Sequence, residues 1–468
     1  MTTIEQHPLY TLLPVGQNVV FSVSNDSAVS TYTKVKIIAE VYISDTPIVL
    51  ANEAPIGTFK TTPNNAGVGM FDFRPIIESY VSSDNLGVNP STYKGVRATD
   101  NSFPIDLVDK YSRNENIARY LVVNFKTEYL DPITNKIIEA TDNAVSAQYT
   151  IFNGYLKYTD NLKLFNDNFG FDTSIFNLST VVAVGDATAR FLTNAPNTQY
   201  ATEEDYGTLA FISTATGDNV LAYIKLTYTE NDSSTSFEKV VFNYNHGAYN
   251  GSPYYASQKF LYFGCFPANL RNWSSNFQAL VTAGTLASYT VQGYNISDVA
   301  VTEQITINKL CPTKKGFEPI RLKWLNQWGV WDYKTFNMKS TKSISTKGST
   351  YQQLEGTWND SKYSVNGYKG GKKAFRVNAM EKVTMNTDFV NEAESEWFEE
   401  LINSPEVFII EGYKTDSTVG TIYSALNTYQ VPVRLTTSNY TRKTVANDKL
   451  MQYTFEVEKS KTLRTQAI

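Results

Sequence analysis

Short runs rich in Val, Ile, Thr, Tyr and Phe recur along almost the whole chain, each closed by a cluster of Asn, Asp, Gly, Pro or Ser. Such runs form strands, because β-branched and aromatic side chains fit a pleated, half-buried surface. At 468 residues the chain exceeds one ordinary core, so the pattern predicts several β modules in series and a mainly β fold. A hydrophobic share of 42% with 13% aromatics fills large cores and excludes wholesale disorder. Charged residues make up only 19%, below the roughly 25% of average domains.

Residues 1–17 read as an N-terminal arm. NVVFSVS (18–24) and TKVKIIAEVYIS (33–44) are strand-like, TPNNAGVG (62–69) is a turn cluster, and Pro75 opens a short helix. Strands follow at 117–130 and 144–156, reversed through Asp131, Pro132 and Asn135. Residues 18–156 are therefore expected to form an immunoglobulin- or fibronectin-like β-sandwich. Residues 157–311 repeat the style, with strands at 207–214, 219–229, 236–244, 258–264, 286–295 and 300–310, and predict a second sandwich. Residues 312–468 predict a β-sheet or barrel domain with one packed helix at 391–403. There Asn391 is the N-cap, Glu394 its capping-box partner, and Trp397 and Leu401 share an apolar stripe.

Charge is unevenly spread. From residue 312 onward 22 Lys and Arg face 17 Asp and Glu, a balance of +5; residues 1–311 hold the remaining 19 of 41 and 29 of 46, a balance of −10. Such asymmetry suits matching one end of a subunit with the other end of a neighbour. A net charge of −5 leaves no chain-wide cation excess for nucleic acid, so no sequence-specific recognition of nucleic acid is expected. No run of 18 apolar residues predicts a membrane span. Near the N-terminus, Glu5 stands where a secretory leader carries Lys or Arg, and Thr11 and Pro14 break the apolar stretch, so export by that route is not expected.

The residues of catalysis are scarce. His7 and His246 are the two histidines, and Cys265 and Cys311 the two cysteines, expected as reduced buried thiols. That pool predicts no metal site, no cofactor and no catalytic residue. Glu392, Glu396, Glu399 and Glu400 are expected on the wet face of the helix, opposite Trp397 and Leu401, rather than as a catalytic acid pair. Trp324, Trp328 and Trp331 suggest a sugar platform but fit core or interface packing better. Tyr368-Lys369-Gly370-Gly371-Lys372-Lys373 reads as a mobile hairpin tip, because the strand-to-helix setting of a phosphate loop is missing. STKSISTKGS (340–349) is cationic and lacks an apolar face: a solvated hairpin arm, or an edge that adds to a neighbour's sheet. The sequence NWS at 272 carries no information without an export signal.

The segments CPTKKGFEPIRLKWLNQWGVWDYKTFNMKST, EAESEWFEELINSPEVFIIEG and VPVRLTTSNYTRKTVANDKLMQYTFEVEKS resemble structural proteins of tailed bacteriophages. The likeness is to tail, baseplate or connector-region proteins of phages of Bacteroidota and marine bacteria, crAss-like phages included, and spans residues 311–468. It implies a non-enzymatic virion protein, assembled in the host cytoplasm as a homo-oligomeric ring alongside other virion proteins, with a tail-tube- or distal-tail-like last domain. Residues 1–17 and 338–350 are the segments expected to reach neighbouring subunits. The alternatives are a capsid-decorating or head-fibre protein, and a carbohydrate-binding adhesin or depolymerase whose partner is a host-surface glycan.

Overall fold

The computed structural model describes residues 1–83, 85–88, 102–108, 110–114, 116–157, 189–212, 221–241, 260–295, 297–310, 317–358, 361–410, 430–437, 439–441 and 451–462. The chain is mainly β and divides into two compact units: Met1–Lys309 with Leu325–Asp332, and Leu310–Trp324 with Tyr333–Ile468.

The first unit opens with two sheets packed face to face. One orders Thr3–Gln6, Val20–Ser24 and Val68–Asp72; the other orders Leu12–Pro14, Tyr149–Phe152, Ala118–Leu130, Thr33–Ser44 and Gly57–Thr61, with Ile137–Val145 also on Ala118–Leu130. The period of two places Ile37, Ala39 and Val41 on one side of their strand and Leu121, Val123 and Phe125 on the same side of the next, all buried. Phe21 and Val23 close on them from the smaller sheet. The Phe21 ring lies 5.5 Å from Phe125 and 5.8 Å, edge-on, from Tyr149, within the favoured aromatic range. Burial in this core pushes the Tyr149 hydroxyl up to about 12.

Residues 1–17 are not a free arm. Thr3–Gln6 pairs with Val20–Ser24, and Leu12–Pro14 runs parallel to Tyr149–Phe152. Leu13 and Val15 enter the core, Thr2 is buried with its N–H donated to the Asp142 carboxylate, and the Met1 ammonium donates to Asn25 Oδ1 at 3.3 Å. Apolar side chains needing cover tie this segment to its own sandwich.

The division expected at 156/157 is crossed by a sheet that orders Thr208–Ile212, Phe260–Gly264, Tyr111–Arg113, Leu86–Val88 and Ser102–Pro104. The polar stretch before residue 117 contains Ile105, Leu107, Val108 and Tyr111, all buried, and burying them draws this stretch to the later strands. A further sheet orders Thr198–Ala201, Ile305–Lys309, Leu286–Tyr294, Tyr223–Glu230 and Thr235–Val241. The Tyr111 hydroxyl joins the two sheets, donating to Val240 O at 2.6 Å and accepting from Ile224 N at 3.2 Å. It satisfies a buried donor and acceptor that would otherwise be costly. Two helices that strand periodicity leaves out, Pro267–Trp273 and Ser275–Ala283, cover Tyr228 and Tyr289 with Phe277. Glu303 is enclosed here; its Oε1 accepts from Phe191 N at 3.0 Å, and burial raises its carboxyl above the usual range despite Arg190 at 3.7 Å.

The stretch 320–336 forms two strands, Ile320–Leu325 and Trp331–Phe336. The turn between them is built into the first unit. Its Gln327 O accepts from Tyr155 N at 2.7 Å, its Asn326 Nδ2 donates to Leu192 O at 2.9 Å, and its Asp332 Oδ1 accepts from Thr193 Oγ1 at 2.7 Å. Gly329 has φ +73°, and a Cβ there would lie 1.8 Å from Asn153 O. Glycine alone satisfies both constraints.

The second unit is an antiparallel seven-stranded sheet ordering Trp331–Phe336, Ile320–Leu325, Val407–Ile410, Gln430–Leu435, Thr454–Lys459, Gly371–Asn386 and Ser340–Gln353. Helix Glu392–Asn403 lies on one face. Both capping-box bonds form: Asn391 Oδ1 accepts from Glu394 N at 2.8 Å, and Glu394 Oε2 accepts from Asn391 N at 3.4 Å. Trp397 packs 4.8 Å from Trp324, and Phe398 5.4 Å from Phe455.

Two outcomes follow from this packing. Gly329→Ala destabilises the protein by at least ~2 kcal/mol, seen as a lowered melting temperature, whereas Gly367→Ala, whose Cβ would meet nothing within 4 Å, changes it little. Glu303 is charged only at a cost when folded, so its contribution is most favourable at low pH and is lost as pH rises through its raised value. Glu303→Gln keeps the acceptor for Phe191 and raises the melting temperature at pH 7, the gain vanishing below about pH 4. An equal gain at both pH values refutes the linkage.

Candidate interaction surface

The two outermost strands on one side of the seven-stranded sheet are also its longest, 14 and 16 residues. They pair along their whole length, from Ser340 with Met385 to Gln353 with Gly371. Only Lys382–Asn386 also pairs inward, with Thr454–Lys459. From Glu381 outward no third strand pairs with the hairpin among the described residues, and this part extends about 30 Å at the rise of a β-strand. Gly370 and Gly371, at φ +95° and +76°, feed the chain back into the return strand, which explains the glycine pair.

The two faces differ. Val383 and Met385 are buried, and residues sharing their parity continue that face outward as Glu381, Ala379 and Val377, opposite Ile344, Thr346 and Gly348. This side is short and largely uncharged. The other side presents Lys382, Met380, Asn378 and Arg376 opposite Ser343, Ser345, Lys347 and Ser349. A register shift between Ser349 and Thr350 follows, with Lys373 opposite Tyr351 beyond it. The Phe375 ring stands edge-on to Tyr351, 6.4 Å away. At the end, Gly356–Thr357 pairs with Ser364–Val365, and Trp358, Tyr368 and Val365 are 77%, 75% and 68% exposed.

Residues 340–386 contain eight Lys and Arg against three Asp and Glu, a balance of +5. That equals the entire excess of residues 312–468; the rest of that segment is neutral. Near the base the cations are matched, Lys342 to Glu318 and Lys382 to Glu456, both at 2.9 Å. Further out, Lys347, Lys372, Lys373 and Arg376 make no ion pair among the described residues. A bare two-stranded ribbon is marginal in water, and clustered exposed aromatics mark contact surfaces. The arrangement is suited to docking against an anionic, partly apolar partner.

The other sequence-predicted residues fall elsewhere. Trp324, Trp328 and Trp331 are 0%, 2% and 2% exposed, so they are core residues and offer no sugar platform. Glu392 and Glu396 are exposed as expected, and Glu394 caps the helix while pairing with Lys334 at 2.6 Å. Glu399 is half-buried and Glu400 is buried, against expectation. Glu400 lies three residues beyond Trp397 and next to Leu401, which puts it on the packed side of the helix. His7 is exposed, with Nδ1 2.9 Å from Pro8 O and 3.2 Å from the Tyr149 hydroxyl. Cys265 is buried; Cys311 and His246 lie outside the described residues. Asn272 of the NWS sequence sits in helix Pro267–Trp273.

The segments 340–349 and 368–373, read separately from sequence, belong to one hairpin. Its aromatic end, with Trp358 and Tyr363, was not anticipated; the available signal was alternation over two long strands without a buried face. Among the described residues no group of three or more His, Cys, Asp or Glu could hold a metal ion, and no helix is long and apolar enough to cross a membrane.

No family model matches the chain, and no curated protein matches it. Among solved structures, trypsin-activated alpha-2-macroglobulin from Escherichia coli aligns over 83% of this chain and 22% of its own, at 9% identity and TM-score 0.17. The native conformation of the same E. coli protein aligns over 82% and 22%, again at 9% identity and TM-score 0.17. This chain thus spans about a fifth of the length of that protein, and a likeness of this size bears on neither its fold family nor its activity.

Proposed function

We propose that the chain is a structural component of a bacteriophage virion, a tail, baseplate or tail-ring protein that assembles by symmetric oligomerisation and has no enzymatic role. The observation that carries this reading is the hairpin of residues 340–386. Among the described residues its ladder has no third strand beyond Glu381 and four of its distal cations lack carboxylate partners, while its end exposes Trp358 and Tyr368. A free monomer gains nothing from such a projection, whereas an assembly gains a contact. Large aromatic cores and buried tryptophans supply the rigid body that repeated contacts need. The resemblance of residues 311–468 to tailed-phage structural proteins supplies the virion context.

A second reading, a host-surface adhesin, draws only on the exposed aromatics Trp358, Tyr363 and Tyr368, since the three buried tryptophans give it no support. A capsid-decorating or head-fibre protein would use the same contact and differ only in its place on the particle.

Light scattering and negative-stain microscopy of the full-length protein should show a closed ring or tube. Replacing residues 344–380 by an Asn-Gly turn keeps the pairing of Lys382–Asn386 with Thr454–Lys459. That variant should retain its melting temperature and become monomeric. A wild-type protein that stays monomeric at high concentration, or that binds or cleaves glycans as a monomer, refutes the assembly reading.

A further inference from the structure

We propose that the hairpin's partner is the acidic Met1–Lys309 unit of a second copy of this chain, so that subunits join head to tail. This rests on the self-assembly reading above and names the surfaces that meet. The hairpin concentrates the whole +5 of residues 312–468, while residues 1–311 carry −10. Two hairpins meeting edge to edge would set +5 against +5, which strongly disfavours strand addition between equivalent Ser340–Gln353 edges. Hairpin against first unit sets +5 against −10.

The cations available are those with no ion pair among the described residues, Lys347, Lys372, Lys373 and Arg376, which lie on the distal part of the projection. Cations nearer the base already have carboxylates. A contact between unlike surfaces is heterologous, and it closes into a ring when its rotation divides the circle. Charge matching also steers the encounter and rejects wrong pairings. The same −10 that attracts the hairpin of a neighbour repels phosphate-rich surfaces, which argues against DNA or an anionic bilayer as the occupant.

The test uses full-length protein prepared as a mixture of ¹⁴N and ¹⁵N copies and treated with a zero-length carbodiimide, which joins Lys amines to carboxylates. Expected are inter-copy links from Lys347, Lys372 or Lys373 to Asp or Glu within residues 1–309. Expected too is at least a tenfold weaker association, roughly, on raising NaCl from about 50 to 500 mM. The triple variant Lys347→Glu, Lys373→Glu, Arg376→Glu should lose association yet keep the wild-type melting temperature, because these side chains hold no ion pair among the described residues. Inter-copy links that join hairpin to hairpin, or hairpin to residues 310–468, overturn the head-to-tail assignment while leaving the proposed function standing. Binding to phosphatidylserine vesicles or duplex DNA that competes with self-association overturns it as well. A protein monomeric under every condition overturns both.

Discussion

Side chains leave a β-strand alternately to opposite sides, and both units depend on how that alternation is covered. In the first sandwich Ile37, Ala39 and Val41 bury one face of their strand only because Phe21 and Val23 arrive from the facing sheet. In the second unit the helix Glu392–Asn403 performs the same task, with Trp397 and Phe398 covering Trp324 and Phe455. Where cover ends, the sheet continues as a two-stranded ribbon with no further strand on it among the described residues. The hairpin is thus the same alternation without its second layer, and its exposed Ile344 and Val377 occupy the positions that Val383 fills inside.

Patterns confined to a few neighbouring residues were legible. The capping box at Asn391 and Glu394, the helix opened by Pro75 and the long strands at 33–44 and 117–130 rest on spacings of two, three or four residues, and the sequence displays these directly. What escaped prediction lies in pairings between distant segments. Nothing in 86–113 announces that Tyr111 will lie beside Phe263, or that its hydroxyl will meet Val240. Nor does Thr3–Gln6 reveal its partner, since a short alternating run pairs equally well with any free edge. Glu400 departs for a different reason: its charge predicts a wet position, whereas its angle around the helix, three residues from Trp397, sets a packed one.

The interaction surface was half legible. Its cations and glycines stood out as composition, and the charge imbalance already separated the two ends of the chain. Pairing between residues 340–353 and 371–386 was needed to turn two unremarkable polar stretches into one projection, and to gather Lys347, Lys372, Lys373 and Arg376 on its distal part. The tryptophans misdirected attention in the opposite sense: Trp324, Trp328 and Trp331 drew notice by clustering in sequence, whereas exposed Trp358 stands apart from them.

The turn Leu325–Asp332 has a consequence for how this polypeptide can be dissected. Because these eight residues belong to the first unit while the strands flanking them serve the second, the backbone passes from one to the other at 309/310, 324/325 and 332/333. No single scission yields two whole folding bodies. A fragment ending near 311 would abandon Leu192 O and Tyr155 N without the groups that satisfy them, and the complementary piece would carry an orphaned loop. The path of the backbone stitches the two units together.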